Sequence, residues 1–326
     1  MKNRVLIFGI TGQDGYHLTK KLLKLKYEVY GTSRKPSGVK NLEKRKILKN
    51  IKIFNSQINN SYNVDKIIRE VSPKFIFNLV NVESLEDSDS NRINTYMNIF
   101  YGNLNILESI INNNQKIRFF SASSSEIYGL SLKGRITKNT KMKPINHYGF
   151  AKKNSYELIK YYREKYKLFC CSGILFNHES PIRSDKSFIT NLIDQCILVK
   201  SNKISKLKIY NINSYFDWGW APDYVDAIYK CLRMNKPKDY IIASGKTYSV
   251  KELIIKVIKR FDLNYQKNVK VITYSNDKRN KQKFTVDTSD MLKELNWKTD
   301  KSIDYIIDKM IYYRLKNSHI QISKPS

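Results

Sequence analysis

"RVLIFGITGQDGYHLTKKLL", residues 4–23, decides how the rest of the chain is read. An apolar run ending at Phe8 has the composition of a buried strand, and Gly9, Gly12 and Gly15 follow at G-x-x-G-x-x-G spacing. Leu18, Leu22 and Leu25 then recur at helical intervals. Glycine at these points permits a tight turn with positive φ, lets backbone approach a pyrophosphate, and allows the helix to pack closely on the strand. The free N–H groups of the helix start would meet the phosphates. A strand, glycine turn and helix at the head of a chain predict a dinucleotide-binding unit.

Outward from that unit, apolar runs at 27–30, 51–54, 74–80, 116–120 and 169–176 alternate with helical periodicity at 93–111 and 148–166. Such alternation predicts an α/β fold, a Rossmann-type doubly wound parallel sheet. The second half is more mixed, with helices near 187–200, 223–234, 250–261 and 302–314 and strands at 207–210 and 240–243. The expected division is a nucleotide-binding domain of residues 1–176 and about 217–245 and a smaller mixed α/β substrate lobe of about 177–216 and 246–316. Residues 317–326 read as a frayed tail.

Composition narrows the function classes. With 326 residues, 41% of them hydrophobic, the chain can bury a large core. Its longest apolar stretches fall well short of the roughly 20 residues that cross a bilayer, and its start lacks a secretory signal. Neither a membrane nor export is expected. The 4 cysteines lack metal-ligand spacing, and Cys170 and Cys171 lie within an apolar run, so they read as buried thiols of a cytoplasmic protein. His17, His147, His178 and His319 do not cluster, and no metal is expected. Lys and Arg number 59 against 29 Asp and Glu, formally +30. The lysines are spread along the whole length, which points away from a nucleic-acid surface and toward a phosphorylated, acidic small molecule. The densest cluster is 34–49.

Two further stretches carry chemistry. "SASSSEIYG" (121–129) places four serines and Glu126 after the apolar run that ends at Phe120. A helix cap or turn is its ordinary reading. "HYGFAKKNSYELIKYY" (147–162) sets Tyr148 and Lys152 four residues apart on one helix face. A free tyrosine has a pKa near 10, and an adjacent ammonium favours its phenolate; a shift of about three units is worth roughly 4 kcal/mol. Cofactor choice rests on the end of the second strand, where Gly31, Thr32, Ser33, Arg34 and Lys35 include no acid for ribose hydroxyls. That favours NADP over NAD.

The glycine turn, the serine-rich strand end and Tyr-x-x-x-Lys, in this order, resemble the extended short-chain dehydrogenase/reductase family. "GILFNHESP" (173–181), "DWGWAPDYV" (217–225), "IIASGKTYSV" (241–250) and "LKELNW" (292–297) sharpen the likeness to the GDP-mannose 4,6-dehydratases. The resemblance covers roughly residues 3–315. It implies catalytic roles for Ser124, Glu126, Tyr148 and Lys152, and cofactor contacts from Gly9, Thr11, Gly12, Gln13, Asp14, Gly15, Arg34, Gln57, Leu79, Tyr148 and Lys152. Substrate contacts are implied for Ser88, Asn177, Glu179, Arg183, Lys186, Phe216 and Arg279. It further implies a hydro-lyase with recycled NADP, a GDP-sugar substrate, and a homodimer or homotetramer. Another nucleotide-sugar epimerase, reductase or decarboxylase, or a degenerate nucleotide-binding member, stays open.

Several positions depart from the family pattern. Gln57 stands where an Asp that contacts adenine is usual, and Val82-Glu83-Ser84 stands where Gln-Ser-His is usual. Phe216 replaces an Arg, and Asn191-Leu192 replaces an Arg-Lys pair. A different nucleotide sugar, such as a GDP-heptose, is therefore also expected as a candidate substrate.

Overall fold

A computed structural model describes residues 3–34, 36–44, 46–81, 85–272 and 282–317. The strands β1 (Arg4–Phe8), β2 (Glu28–Ser33), β3 (Ile51–Asn55), β4 (Phe75–Asn78) and β5 (Arg118–Ser124) are connected by helices. These are α1 (Gln13–Lys24), α2 (Pro36–Lys44), α3 (Ser61–Val71), α4 (Leu85–Ser90), α5 (Arg92–Tyr96) and α6 (Gly102–Asn113). A short strand β6 (Gly134–Ile136), the long helix α7 (His147–Lys165) and strand β7 (Cys170–Leu175) follow. Beyond them come β8 (Asn177–Glu179), α8 (Phe188–Lys200), β9 (Leu207–Tyr210), β10 (Tyr215–Trp220), α9 (Ala221–Cys231) and β11 (Tyr240–Ile242). The chain continues through β12 (Thr247–Ser249), α10 (Val250–Lys259), α11 (Tyr265–Asn268), β13 (Val269–Ile272), β14 (Phe284–Val286), α12 (Ser289–Leu295) and α13 (Ile303–Asn317).

Seven strands form one parallel sheet in the order β11-β7-β5-β4-β1-β2-β3. The strand order reverses between β1 and β4, and the crevice at the carboxyl ends there is where an open α/β sheet binds its ligand. One face of the sheet is covered by α1 and α9, with Leu18 and Leu22 in one core with Tyr224, Val225 and Ile228. The other is covered by α3, α6 and α7, through residues such as Val64, Ile68, Ile106, Ile110 and Ile159. A separate core joins Leu192 and Ile193 of α8, Leu253 and Val257 of α10, Ile306 and Met310 of α13, and Trp218 of β10. Among the described residues no helix is long and apolar enough to cross a membrane.

Three local expectations are corrected. The serines do not end the strand at Phe120: β5 runs on to Ser124, because its ladder to β7 pairs Ser121 with Ser172 and Ser124 with Leu175 through backbone groups that need no apolar side chain. The single helix expected at 93–111 is α5 and α6 joined by a π-helical stretch, Met97–Tyr101. Helix α3 was absent from the sequence reading, although Asn60 caps it by accepting from the Asn63 N–H at 2.9 Å, and Val64, Ile67, Ile68 and Val71 form its buried stripe.

The opening glycines do different work. Gly9 has φ +83°, and a Cβ on it would stand 3.0 Å from the Leu79 carbonyl group. A Cβ on Gly15 would lie 2.5 Å from Gly9 O, whereas one on Gly12 would meet the same oxygen at 3.4 Å. Gly15→Ala is therefore expected to destabilise the fold by about 1–3 kcal/mol through overpacking, while Gly12→Ala stays near the original stability. Urea unfolding of the two variants checks this, and equal midpoints would count against the packing argument.

Candidate active site

The turn that opens α1 is tied down from a distance. Gln13 donates through Nε2 to the His178 carbonyl at 3.1 Å and accepts through Oε1 from the Ser180 hydroxyl at 2.8 Å. The Asp14 carboxylate lies 2.9 and 3.0 Å from His178 Nε2, and His178 Nδ1 lies 2.7 Å from the Phe176 carbonyl. Both imidazole nitrogens thus face acceptors, which suits the doubly protonated ring. Burial pulls the His178 pKa down, but the charge and hydrogen bond of Asp14 outweigh it and leave it raised. Burial likewise pushes Asp14 up, and His178 more than offsets this, holding the carboxyl below its ordinary range. The side chains of Gln13 and Asp14 are therefore engaged by the chain itself, and their positions offer backbone at a helix start.

Other expected cofactor residues lie along the carboxyl edge of the sheet. Arg34 is exposed just past β2, and Gln57 is exposed past β3. Leu79 follows β4, is nearly buried, and donates its N–H to the Phe8 carbonyl at 2.9 Å. Thr11 is half-buried beside Gly38 of α2, where an added Cβ would stand 2.9 Å from Thr11 Cβ.

The end of β5 and the start of α7 bring the four expected catalytic residues together. Ser124 caps a 3-10 turn, Ser125–Ile127, by accepting from the Glu126 N–H at 3.3 Å. The Tyr148 hydroxyl is hydrogen-bonded to the Ser124 and Asn81 side chains. Lys152, 3% exposed, donates to the Ala122 carbonyl at 2.7 Å, and its Nζ stands 5.6 Å from the centroid of the Tyr148 ring. Asn146 holds Glu126, donating from Nδ2 to Oε2 at 2.7 Å. Ser121 sits deeper, donating to Asn103 Oδ1 at 2.9 Å, and that oxygen also accepts from Asn78 Nδ2 at 2.8 Å.

Electrostatics here reverse the simple expectation of a phenolate beside an ammonium. Burial raises the Tyr148 phenol to about 12 despite its hydrogen bonds to Ser124 and Asn81, and the Glu126 charge adds to the rise. Burial also lowers Lys152 to about 7, against a smaller opposing pull from Asp14. A dry site disfavours either charge alone. Burial thus favours the neutral form of both groups.

The expected substrate residues are less uniform. Glu179 is 4% exposed, its carboxyl raised by burial, with Oε2 at 3.7 Å from Arg183 Nε. Asn177 and Lys186 are exposed, while Ser88 is fully buried. Phe216 packs against Trp218 with ring centroids 5.4 Å apart and lies against the separate core of α8, α10 and α13. Leu192 belongs to that same core at 0% exposure, so its position offers no contact to a phosphate. Arg279, Lys35 and Val82-Glu83-Ser84 lie outside the described residues.

A family model described as GDP-mannose 4,6 dehydratase matches residues 6–310. The chain belongs to the GDP-mannose 4,6-dehydratase family. A relative from Drosophila melanogaster, a GDP-mannose 4,6 dehydratase, is 34% identical over 268 residues, covering 79% of this chain and 68% of the relative. A Homo sapiens protein of the same description is 34% identical over 269 residues, 78% and 71% of the two chains. Among solved structures, a Thermotoga maritima UDP-glucose 4-epimerase with UDP-glucose superposes with a TM-score of 0.85 at 18% identity, over 96% of this chain and 99% of that one. A Bacillus anthracis dTDP-glucose 4,6-dehydratase in complex with NAD gives 0.83 at 18% identity, over 96% and 97%. At that identity the likeness speaks for the fold.

Sequence reasoning missed Asn81, Asn146 and the His178 partner of Asp14. Only Asn146 left a local signal, since an Asn at the start of a helical period is a favoured cap; the others are brought in by distant strands. The buried lysine generates a prediction for this family member. Between about pH 7 and pH 9 the unfolded chain keeps Lys152 protonated while the folded chain releases the proton, so the stability contributed by this group rises with pH. Lys152→Met is expected to flatten that rise in a comparison of Tm at the two pH values, and an unchanged slope would show that the ammonium is not buried at a cost.

Proposed function

We propose that the chain is a nucleotide-sugar 4,6-dehydratase, a hydro-lyase that converts GDP-mannose or a related GDP-sugar to its 4-keto-6-deoxy form. The observation that carries this reading is the convergence of Ser124, Glu126 and Tyr148 over a buried Lys152, in a chain of the GDP-mannose 4,6-dehydratase family. A carboxylate beside the Ser-Tyr-Lys set supplies the acid/base group that removal of water needs in addition to oxidation.

The residues present fit a nicotinamide dinucleotide. The positive φ of Gly9 and the contact distance at Gly15 make a cradle that a Cβ would fill. The start of α1 offers N–H groups for the pyrophosphate, and Arg34 follows β2, which ends with no acid. These features favour NADP. When bound, a nicotinamide would supply the hydride acceptor and donor that oxidation at C4 and reduction at C6 need. Tyr148 takes the C4 hydroxyl proton, with Ser124 orienting that oxygen. Lys152, buried beneath the phenol, offers the positive charge that lets the phenol ionise when the two charges form together. Glu126 removes the C5 proton, made acidic by the 4-ketone, and passes it to the departing C6 hydroxyl as water leaves; as hydride arrives at C6, C5 takes up a proton, which balances the one that Tyr148 took from the C4 hydroxyl and releases. Glu179 and Arg183 are the residues this reading assigns to the sugar and the diphosphate. A homodimer or homotetramer is part of this reading, and exposed Ile93 of α5 and Phe150 and Tyr161 of α7 offer apolar surface for it.

With a GDP-sugar carrying deuterium at C4, the label is expected on the C6 methyl of the product, read by mass spectrometry, with no net reduction of NADP. Label lost to solvent, or steady accumulation of NADPH, would contradict the reading. Glu126→Gln should permit C4 oxidation and slow water loss at least about a hundredfold. Arg34→Ala should weaken NADP binding about tenfold and leave NAD binding unchanged; equal effects on both would remove Arg34 from the choice of cofactor.

A further inference from the structure

We propose that Asn146 is a positioning residue that couples the start of the catalytic helix to the Glu126 carboxylate. Asn146 is the cap of α7, in extended backbone conformation, and its Oδ1 accepts from the Gly149 N–H at 2.7 Å. A backbone N–H can meet only the amide oxygen, so the orientation of the side chain is settled and its NH2 end must face Glu126. That end donates to Glu126 Oε2 at 2.7 Å. One amide, two residues before Tyr148, therefore satisfies an orphan donor of the helix and holds the Glu126 carboxylate.

Neighbouring packing makes the coupling stiff. A Cβ on Gly149 would lie 2.6 Å from the Glu126 carbonyl oxygen and 3.2 Å from Asn146 Oδ1, so the helix start, the 3-10 turn and the amide close on one another. Ser or Asp caps a helix as well as Asn does. Neither both reaches Glu126 and donates to it. An N–H donated to a carboxylate oxygen favours the ionised form, which is the form a base requires. Among the described residues, the Tyr148 phenol of α7 feels the charge of this carboxylate, and Arg183 beyond β8 acts on the same phenol. Lys152 of α7 is turned to the Ala122 carbonyl.

The inference rests on the dehydratase reading for the role of Glu126, and two readouts separate the two. Asn146→Ser keeps the cap and removes the donor; Asn146→Asp keeps the cap and sets an anion against Glu126. In single turnovers of the NADP-loaded enzyme with GDP-mannose, both variants are expected to oxidise C4 at close to the original rate. Water loss should slow about tenfold or more, with reduced nicotinamide accumulating. In the Asp variant the acid limb of the dehydration profile should move up by about one pH unit, because a like charge disfavours the ionised carboxylate. Carbon-13 NMR of the loaded protein without substrate, with the Glu126 signal assigned through Glu126→Gln, should show its titration midpoint raised in both variants. An unchanged midpoint in both, or equal losses of C4 oxidation and water loss, overturns the proposal. If the original enzyme dehydrates no sugar nucleotide, the dehydratase reading fails, and the NMR titration still decides whether Asn146 governs Glu126.

Discussion

The site depends on how closely the first turn of α7 can approach the carboxyl end of β5. Three contacts cross that gap: Tyr148 with Ser124, Asn146 with Glu126, and Lys152 with the Ala122 carbonyl. Gly149 permits them by presenting no Cβ to the Glu126 backbone. Closeness has an electrostatic consequence, because it removes water from both the phenol and the ammonium. Burial then favours the neutral form of each, raising Tyr148 to about 12 and lowering Lys152 to about 7. Opposite charges in such a site are tolerated only together.

A second seam attaches the phosphate turn to the rest of the chain. Asp14 pairs with His178, whose ring stacks on Tyr224 at 4.6 Å, and the Tyr224 hydroxyl donates to Asp217 at 3.4 Å. Asp217 also accepts from the Ser244 N–H at 2.8 Å, and burial raises its carboxyl to about 6. Trp297 packs edge-on to Tyr224 and donates its indole N–H to the Asp223 carbonyl at 2.9 Å. The stretches "FNHES", "DWG", "DYV", "ASG" and "NW" thus meet along one line. Their residues act there largely by holding the two sides of the crevice in register. Phe216 and Leu192 are absorbed instead into the separate core of α8, α10 and α13.

The first half of the chain was readable because parallel strands buried on both faces are continuous apolar runs, each followed by a local signal such as the glycine turn. The second half was less so. Strands β8, β10 and β12 are short and rich in polar and aromatic residues, and they are strands only because they pair with one another. The serines of β5 misled for a related reason, since a ladder constrains backbone and leaves side chains free to face a site. The contact between Asn146 and Glu126 spans twenty positions, and the one between Asp14 and His178 far more, so neither could be seen as spacing.

By itself the amino-acid order determined what acts locally: the glycine turn between β1 and α1, the fourfold spacing that stacks Tyr148 above Lys152, and the hydroxyls and carboxylate that precede them. Tertiary structure alone decided how dry those groups are and which partner each one meets. Desolvation and hydrogen bonding are set by atoms packed from distant parts of the chain, and here they outweigh the attraction between neighbours that the spacing led one to expect.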